Sequence, residues 1–337
     1  MTTVVTGGAG HIGGALVRAL LARGRSVRAV IHHDRRALEG LDVETVSGDV
    51  LDPASLRRAF SGADVVYHSA GHVSIQMDEG PLLEAVNVRG TGNVVEACLD
   101  CGVHRLVHFS SIHALDLGHC DASVDEASAS VRVSSRLPYD RSKAAGEQEV
   151  RAGIQRGLDA VILNPTAVIG PLDYRPSHIG QVLLALAYGK LPALVEGGFD
   201  WVDVRDVAEG AVLAEQHGSA GARYILSGHW ASVRDLAQAV TAVTGVRTPR
   251  LVCPMAVARI GAPISTMFAR LAGKRPLFTR AALYVLSEHS QISHTHATQE
   301  LGYRPRPFED TLRDTFQWFA EAGYLAHANT LSRSEAT

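Results

Sequence analysis

The stretch Thr3–Gly24, TVVTGGAGHIGGALVRALLARG, reads as a buried strand that breaks into glycines and resumes as a helix. Gly7, Gly10 and Gly13 stand at G-x-x-G-x-x-G spacing between the two elements. In that setting one glycine allows the tight turn, one lets the backbone approach a pyrophosphate, and one permits close packing of helix on sheet. The start of the helix, at His11 and Ile12, offers unpaired N–H groups and the positive end of the helix dipole. A glycine-rich turn without a ligand has the same triplet. The strand before, the helix after and the rhythm that follows decide for a dinucleotide site.

That rhythm continues outward. TTVVT, SVRAVI, VETVSGD, ADVVYHSA, HRLVHFSS and DAVILNP read as strands. Between them lie helical stretches: HIGGALVRALLARG, ending at Gly24, then DPASLRRAFSG with Asp52 as N-cap and Pro53 in its first turn, then the long GPLLEAVNVRGTGNVVEACLDCG. Strands separated by helices of this length pair in parallel through right-handed crossovers. The expected fold is α/β, a doubly wound parallel sheet of Rossmann type with helices on both faces. Residues 1–170 form its dinucleotide-binding domain, and WVDVRDVAEGAVLAEQ and ARYILSG (about 200–228) read as one more helix and strand that return to the sheet. Residues 171–199 and 229–325 are expected to build a smaller, mostly helical substrate lobe, and 326–337 a mobile tail.

The chain has 337 residues, 46% of them hydrophobic, enough for a large core. Lys and Arg number 32 against 35 Asp and Glu, so no basic surplus points to nucleic acid. Apolar runs are short and broken by charge, which predicts no membrane span. The first residues enter a strand without a leader pattern, and the four cysteines show no secreted disulfide framework. A soluble cytoplasmic protein is expected.

The end of the second strand selects the cofactor. An acidic residue there would grip the ribose hydroxyls of NAD. RAVIHHDRR instead places Ile31 at the strand end, then His32, with Asp34 late and beside Arg35 and Arg36. Two guanidiniums suit a 2′-phosphate, so NADP is favoured. NAD remains possible with Asp34 on the ribose and both arginines in solvent. In SGDVLD, Asp49 and its neighbour Val50 sit where adenine would lie, and Asp49 could accept from the adenine amino group.

PYDRSKAAGE places Tyr139 and Lys143 one helical turn apart on one face. A phenol is a weak acid, with a reference pKa near ~10, and a neighbouring ammonium lowers it. VHFSSIHAL supplies Ser110 and Ser111 at the carboxyl end of the fifth strand, where ligands of open α/β sheets bind. Y-x-x-x-K alone is more often a solvated helix face; with the glycine turn and the strand-end serines it predicts proton transfer at a carbonyl.

TGGAGHIG, SGDVLD, HSAG, NVRGTGNVVEAC, VHFSS, YDRSK, ILNPTAVIGP, WVDVRDVAEG and ELGYRP, in this order over about residues 2–320, resemble the extended short-chain dehydrogenases/reductases. The resemblance implies a catalytic Ser111, Tyr139 and Lys143, with Ser69, Ala70 and Gly71 along the cofactor, Asn87 on the next helix, and Pro165 over the nicotinamide. It also implies a possible homodimer through the helix 81–101 and the helix of SRLPYDRSKAAGEQEV. In style the chain is nearest the dihydroflavonol reductases and hydroxysteroid dehydrogenases, and Ile31 departs from the acidic residue of the NAD-using sugar epimerases.

The expected function is hydride transfer between a nicotinamide and a ketone or secondary alcohol of a small, largely apolar molecule. The region MAVARIGAPISTMFARLAGKRPLFTRAALYVL, expected at the pocket, is largely apolar. A nucleotide-sugar epimerase or dehydratase is the alternative, with Arg259, Arg270, Arg275 and Arg280 on a diphosphate; a non-catalytic cofactor sensor is a further one. No metal is expected: Cys98, Cys101, His104 and His108 should diverge where helix gives way to strand, and His289, His294 and His296 read as an exposed loop. His113 and His119 lie between Ser111 and Tyr139 and could touch substrate. Asp203, Arg205 and Asp206 read as a structural charge network.

Overall fold

The computed structural model describes residues 1–32, 34–117, 123–131, 135, 137–262, 280–286 and 291–325. The tail 326–337, His119, His289, and the side chains of Arg270, Arg275 and Arg280 lie outside the described residues.

In chain order the strands are β1 (Thr2–Thr6), β2 (Ser26–Ile31), β3 (Glu44–Ser47), β4 (Val65–His68), β5 (Arg105–Phe109), β6 (Ser123–Val124), β7 (Ala160–Pro165), β8 (Ala167–Ile169), β9 (Leu194–Val195), β10 (Gly198–Asp203), β11 (Arg223–Leu226) and β12 (His229–Ser232). Seven of them form one sheet in the order β11-β7-β5-β4-β1-β2-β3. Every pairing in it is parallel. The strand order reverses at β1, which opens a crevice at the carboxyl ends of β1 and β4 where such sheets bind ligands.

Alternation along β1 shows why both faces are covered. Val4 faces one core with Leu56, Phe60, Val94, Cys98 and Val150. Val5 faces the other, with Leu16, Leu20, Val204, Val207 and Ala211. The first core is roofed by α2 (Pro53–Phe60), α4 (Gly90–Asp100) and α5 (Pro138–Gln155), the second by α1 (His11–Leu21) and α7 (Val204–His217). Leu16 and Leu20 are fully buried, each worth roughly 1.5–3 kcal/mol of transfer free energy. Asp52 caps α2 as expected, accepting from the Ala54 amide at 3.0 Å. The long helix after β4 runs as expected but contains a π-helical segment, Glu84–Arg89.

A separate core gathers Ile169, Leu186, Trp201, Leu236, Val240 and Phe316. Its frame includes a three-stranded sheet, with β10 parallel to β8 and antiparallel to β12. Trp201–Asp203, which the sequence reading gave to a helix, belongs to β10. The stretch 295–303, placed by sequence with the substrate lobe, puts Ala297, Leu301 and Tyr303 into the main core instead.

The WVDVRDVAEG charges form a structural network, directed at the C-terminal segment. Asp203 caps α7 through the Arg205 amide. Arg205 forks onto Asp203 and reaches Asp314 at 2.6 Å, and Arg306 binds Asp206 at 2.7 Å. Among the described residues, no helix is long and apolar enough to cross a membrane.

Candidate active site

Gly7 takes φ +67°, a conformation that a side chain would strain. A Cβ there would meet the Ala70 amide nitrogen at 2.7 Å, so the glycine lets β1 and the loop after β4 touch. A Cβ on Gly13 would sit 2.1 Å from the Gly7 carbonyl oxygen. The Gly7 carbonyl in turn accepts from the Gly10 amide at 2.9 Å. The start of α1 has Gly10 as N-cap with no side-chain cap and no acid in its first turn. A bare, electropositive helix end above a tight turn fits a pyrophosphate. Ile12 packs against the main core, and the His11 ring lies 2.9 Å from the Pro171 carbonyl.

The expected adenosine end is brought together only in part. Ile31 is buried. His32 lies 3.8 Å from Asp49, whose carboxylate also accepts from the Leu51 amide. Val50 packs against the backbone of Gly90 and its carbonyl accepts from Asn93. Arg35 is exposed. Arg36 is turned back onto Asp34, with Nη2 2.6 Å from the carboxylate. That guanidinium holds the Asp34 carboxyl down at about 2. The sequence reading placed both arginines towards a 2′-phosphate; here Arg36 already has an acidic partner two residues away.

The loop after β4 is fixed from both ends. The Ser69 hydroxyl donates to the Thr6 carbonyl at 2.7 Å, and the Ala70 amide donates to the Thr6 hydroxyl. Gly71 faces Asn87 and the Lys143 ammonium. Asn87, in the π-helical segment, accepts from the His72 amide at 2.8 Å and donates to the Ser142 hydroxyl at 3.0 Å. Asn87 therefore clamps this loop to α5, the helix that carries Tyr139 and Lys143.

Tyr139 meets Ser111 at the carboxyl end of β5, and Lys143 reaches the last residue of the same strand. Burial pushes the Tyr139 phenol up to about 12, and a hydrogen bond from Ser111 works against it. The Lys143 ammonium donates to the Phe109 carbonyl at 2.8 Å, and burial lowers it to about 8. Of the serine pair, Ser111 reaches the phenol, while the buried Ser110 hydroxyl finds no partner among the described residues. Pro165 ends β7 opposite Leu226.

Sequence reasoning missed the support beneath Ser111. Asn164 donates to the Ser111 carbonyl at 2.7 Å and to Glu147 at 2.8 Å, and Glu147 is paired with Arg223. It also missed Asp140. Its Oδ1 lies 3.6 Å from the His113 ring, which packs edge-on to Tyr139. Burial raises Asp140 to about 7 and lowers His113 to about 4, so between those values both are neutral and the contact is no ion pair. The folded state then holds the Asp140 proton more firmly than the unfolded chain. Its stabilising effect is complete below about pH 4 and lost as pH rises through about 7. Asp140→Asn is expected to leave the thermal midpoint unchanged at pH 4 and to raise it by about 3 °C at pH 8. Equal shifts at both pH values would contradict this assignment.

Beside His113 opens a pocket walled by Ile112, Leu117, Phe199, Trp230 and Ile292, with Thr166 and Asp200 as its polar side. Of the four residues that the sequence reads as diverging, Cys98 and His108 are buried and His104 is exposed. The His108 ring instead lies 5.3 Å from that of His68.

The profile of the NAD dependent epimerase/dehydratase family matches residues 3–226. The chain belongs to that family. Sterol demethylase protein B of Methylococcus capsulatus is 37% identical over 331 residues, covering 96% of this chain and 100% of that protein. A putative dihydroflavonol 4-reductase of Synechocystis is 31% identical, covering 95% of each. The crystal structure of gox2253 superimposes with a TM-score of 0.84 at 34% identity, over 96% of this chain and 99% of that one. The family's extended short-chain fold is the seven-stranded sheet described above, and the resemblance read from the motifs holds.

Proposed function

We propose that this chain is an NADP-preferring ketoreductase that reduces a ketone, or oxidises the corresponding secondary alcohol, on a small and largely apolar molecule. The observation that carries it is the convergence of Ser111, Tyr139 and Lys143 at the carboxyl end of β5, next to a mainly apolar pocket. The glycine turn and the open end of α1 would hold the diphosphate, Lys143 the nicotinamide ribose, and Arg35 with Arg36 the 2′-phosphate. When bound, the nicotinamide supplies or accepts a hydride at its C4. Ser111 donates a hydrogen bond to the substrate oxygen. Tyr139 gives that oxygen a proton in reduction and takes it back in oxidation. Residues 171–199 and 229–325 would form the substrate side.

One observation favours the other reading, a sugar epimerase on NAD: Asp34 stands ionised just past β2 and could take the ribose hydroxyls. Against it, no arginine lines the pocket among the described residues, and Arg259, one of the four arginines expected on a diphosphate, is exposed. Titration of the purified protein with NADPH and NADH, followed by turnover of apolar ketones, separates the two. NADPH is expected to bind at least about tenfold more tightly, with the preference lost in Arg35→Ala/Arg36→Ala. Tightly held NAD and no ketone turnover would overturn the ketoreductase reading.

A further inference from the structure

Between Asp235 and Glu288 the chain has no acidic residue, yet it carries six arginines and one lysine. The rest of the chain holds 25 cations against all 35 acids. Three of those arginines, Arg247, Arg250 and Arg259, fall on an unusual surface. Helical residues 255–262 turn Met255, Ala258 and Ala262 inward, onto a small core with Phe199, Leu283 and Leu286. The outward face presents Val257, 57% exposed, and Ile260, 76% exposed. Leu251, just before them, is 68% exposed. Arg247, Arg250 and Arg259 are exposed alongside, and none pairs with a carboxylate among the described residues. The one described carboxylate at this helix, Glu196, accepts from the Met255 amide at its start.

A water-facing helix ordinarily turns polar side chains outward. Bulky aliphatics flanked by unpaired arginines are the composition of a helix that lies in a membrane interface. The apolar residues enter the boundary between headgroups and acyl chains, and each cation gains from an anionic leaflet. Nucleic acid would use the arginines but gives Val257 and Ile260 nothing to enter.

We propose that residues 247–262 form a docking face for anionic lipid bilayers. Val257 and Ile260 insert, and Arg247, Arg250 and Arg259 rest on the headgroups. The inner side of this helix shares its small core with Phe199, which also walls the pocket. The face would thus bring the pocket close to apolar molecules dissolved in the membrane. That last consequence rests on the ketoreductase reading; the docking itself does not.

The test measures binding without turnover. The full chain is sedimented with vesicles of phosphatidylcholine alone and with vesicles containing one quarter phosphatidylglycerol, at low and moderate salt. Binding is expected only to the anionic vesicles and should weaken with salt. Val257→Asp/Ile260→Asp should lower the partition coefficient at least about tenfold, and Arg250→Gln or Arg259→Gln about fivefold each. Unchanged thermal midpoints and cofactor affinity would show that the variants are folded. No preference for anionic vesicles overturns the proposal. So does vesicle binding that survives Val257→Asp/Ile260→Asp, or retention on duplex DNA or self-association in place of vesicle binding. Ketone turnover has no part in these outcomes, so failure here leaves the catalytic reading standing, and its failure leaves this one.

Discussion

Tyr139→Phe is expected to bind NADPH as the parent does and to reduce ketones at least about 10³-fold more slowly. A positioned acid is worth roughly 10²–10⁴ in rate, and in the proposed reaction this phenol delivers the proton. Burial holds it at about 12, so it is neutral throughout the working pH range and carries the proton that reduction needs. Ser111 is the neighbour that favours the phenolate, through its hydrogen bond. Ser111→Ala should therefore slow turnover and also raise the phenol's pKa, which would move the pH profile of alcohol oxidation upward. Removing one phenolic oxygen leaves a ring of the same shape edge-on to His113. A loss of cofactor binding would mark Tyr139 as structural, and unchanged turnover would remove it as the proton donor. Single-turnover kinetics with measured NADPH affinity distinguish these results.

The parts legible in the sequence are those governed by short-range rules. The glycine spacing and the strand–helix alternation each lie within one turn or one βαβ unit and take their expected place, and Tyr139 and Lys143 share one helix as their spacing predicts. The small sheet of β8, β10 and β12 was not legible, because β8 has three residues and β12 four, too few to establish a period of two. The orientation of Arg36 was hidden for a different reason. Two basic residues near a strand end look available for a phosphate, and only coordinates show the second one folded back on Asp34. Lys143 shows the same limit. Its spacing from Tyr139 is right, yet its ammonium points to the Phe109 carbonyl, and the phenol's balance is set by burial and Ser111. The supports of the site lie further still from sequence reasoning. Glu147 and Arg223 stand 76 residues apart, on a helix and on an edge strand. Nothing local marks either as the partner of the other.

That pair carries the second large effect. Glu147 is fully buried and Arg223 nearly so, and each would be costly alone. Arg223→Met is expected to lower stability by about 3–5 kcal/mol, because it strands a carboxylate that has no access to water. Glu147→Leu strands the guanidinium, takes the acceptor from Asn164 and should cost at least a similar amount. Replacing both, as Arg223→Met/Glu147→Leu, removes both charges and should recover most of the lost stability, since a buried ion pair is close to neutral against well-packed apolar groups. Turnover should not recover with it. Asn164 would lose the carboxylate that fixes it beneath Ser111, and a loosened Ser111 carbonyl moves the hydroxyl that meets the Tyr139 phenol. Denaturant unfolding of the two single variants and the double variant gives the coupling energy, and kcat measured on the double variant gives the rest. Full recovery of both quantities would mean that the pair neither holds the fold nor places Ser111. Additive losses in stability would mean that the two charges do not depend on one another.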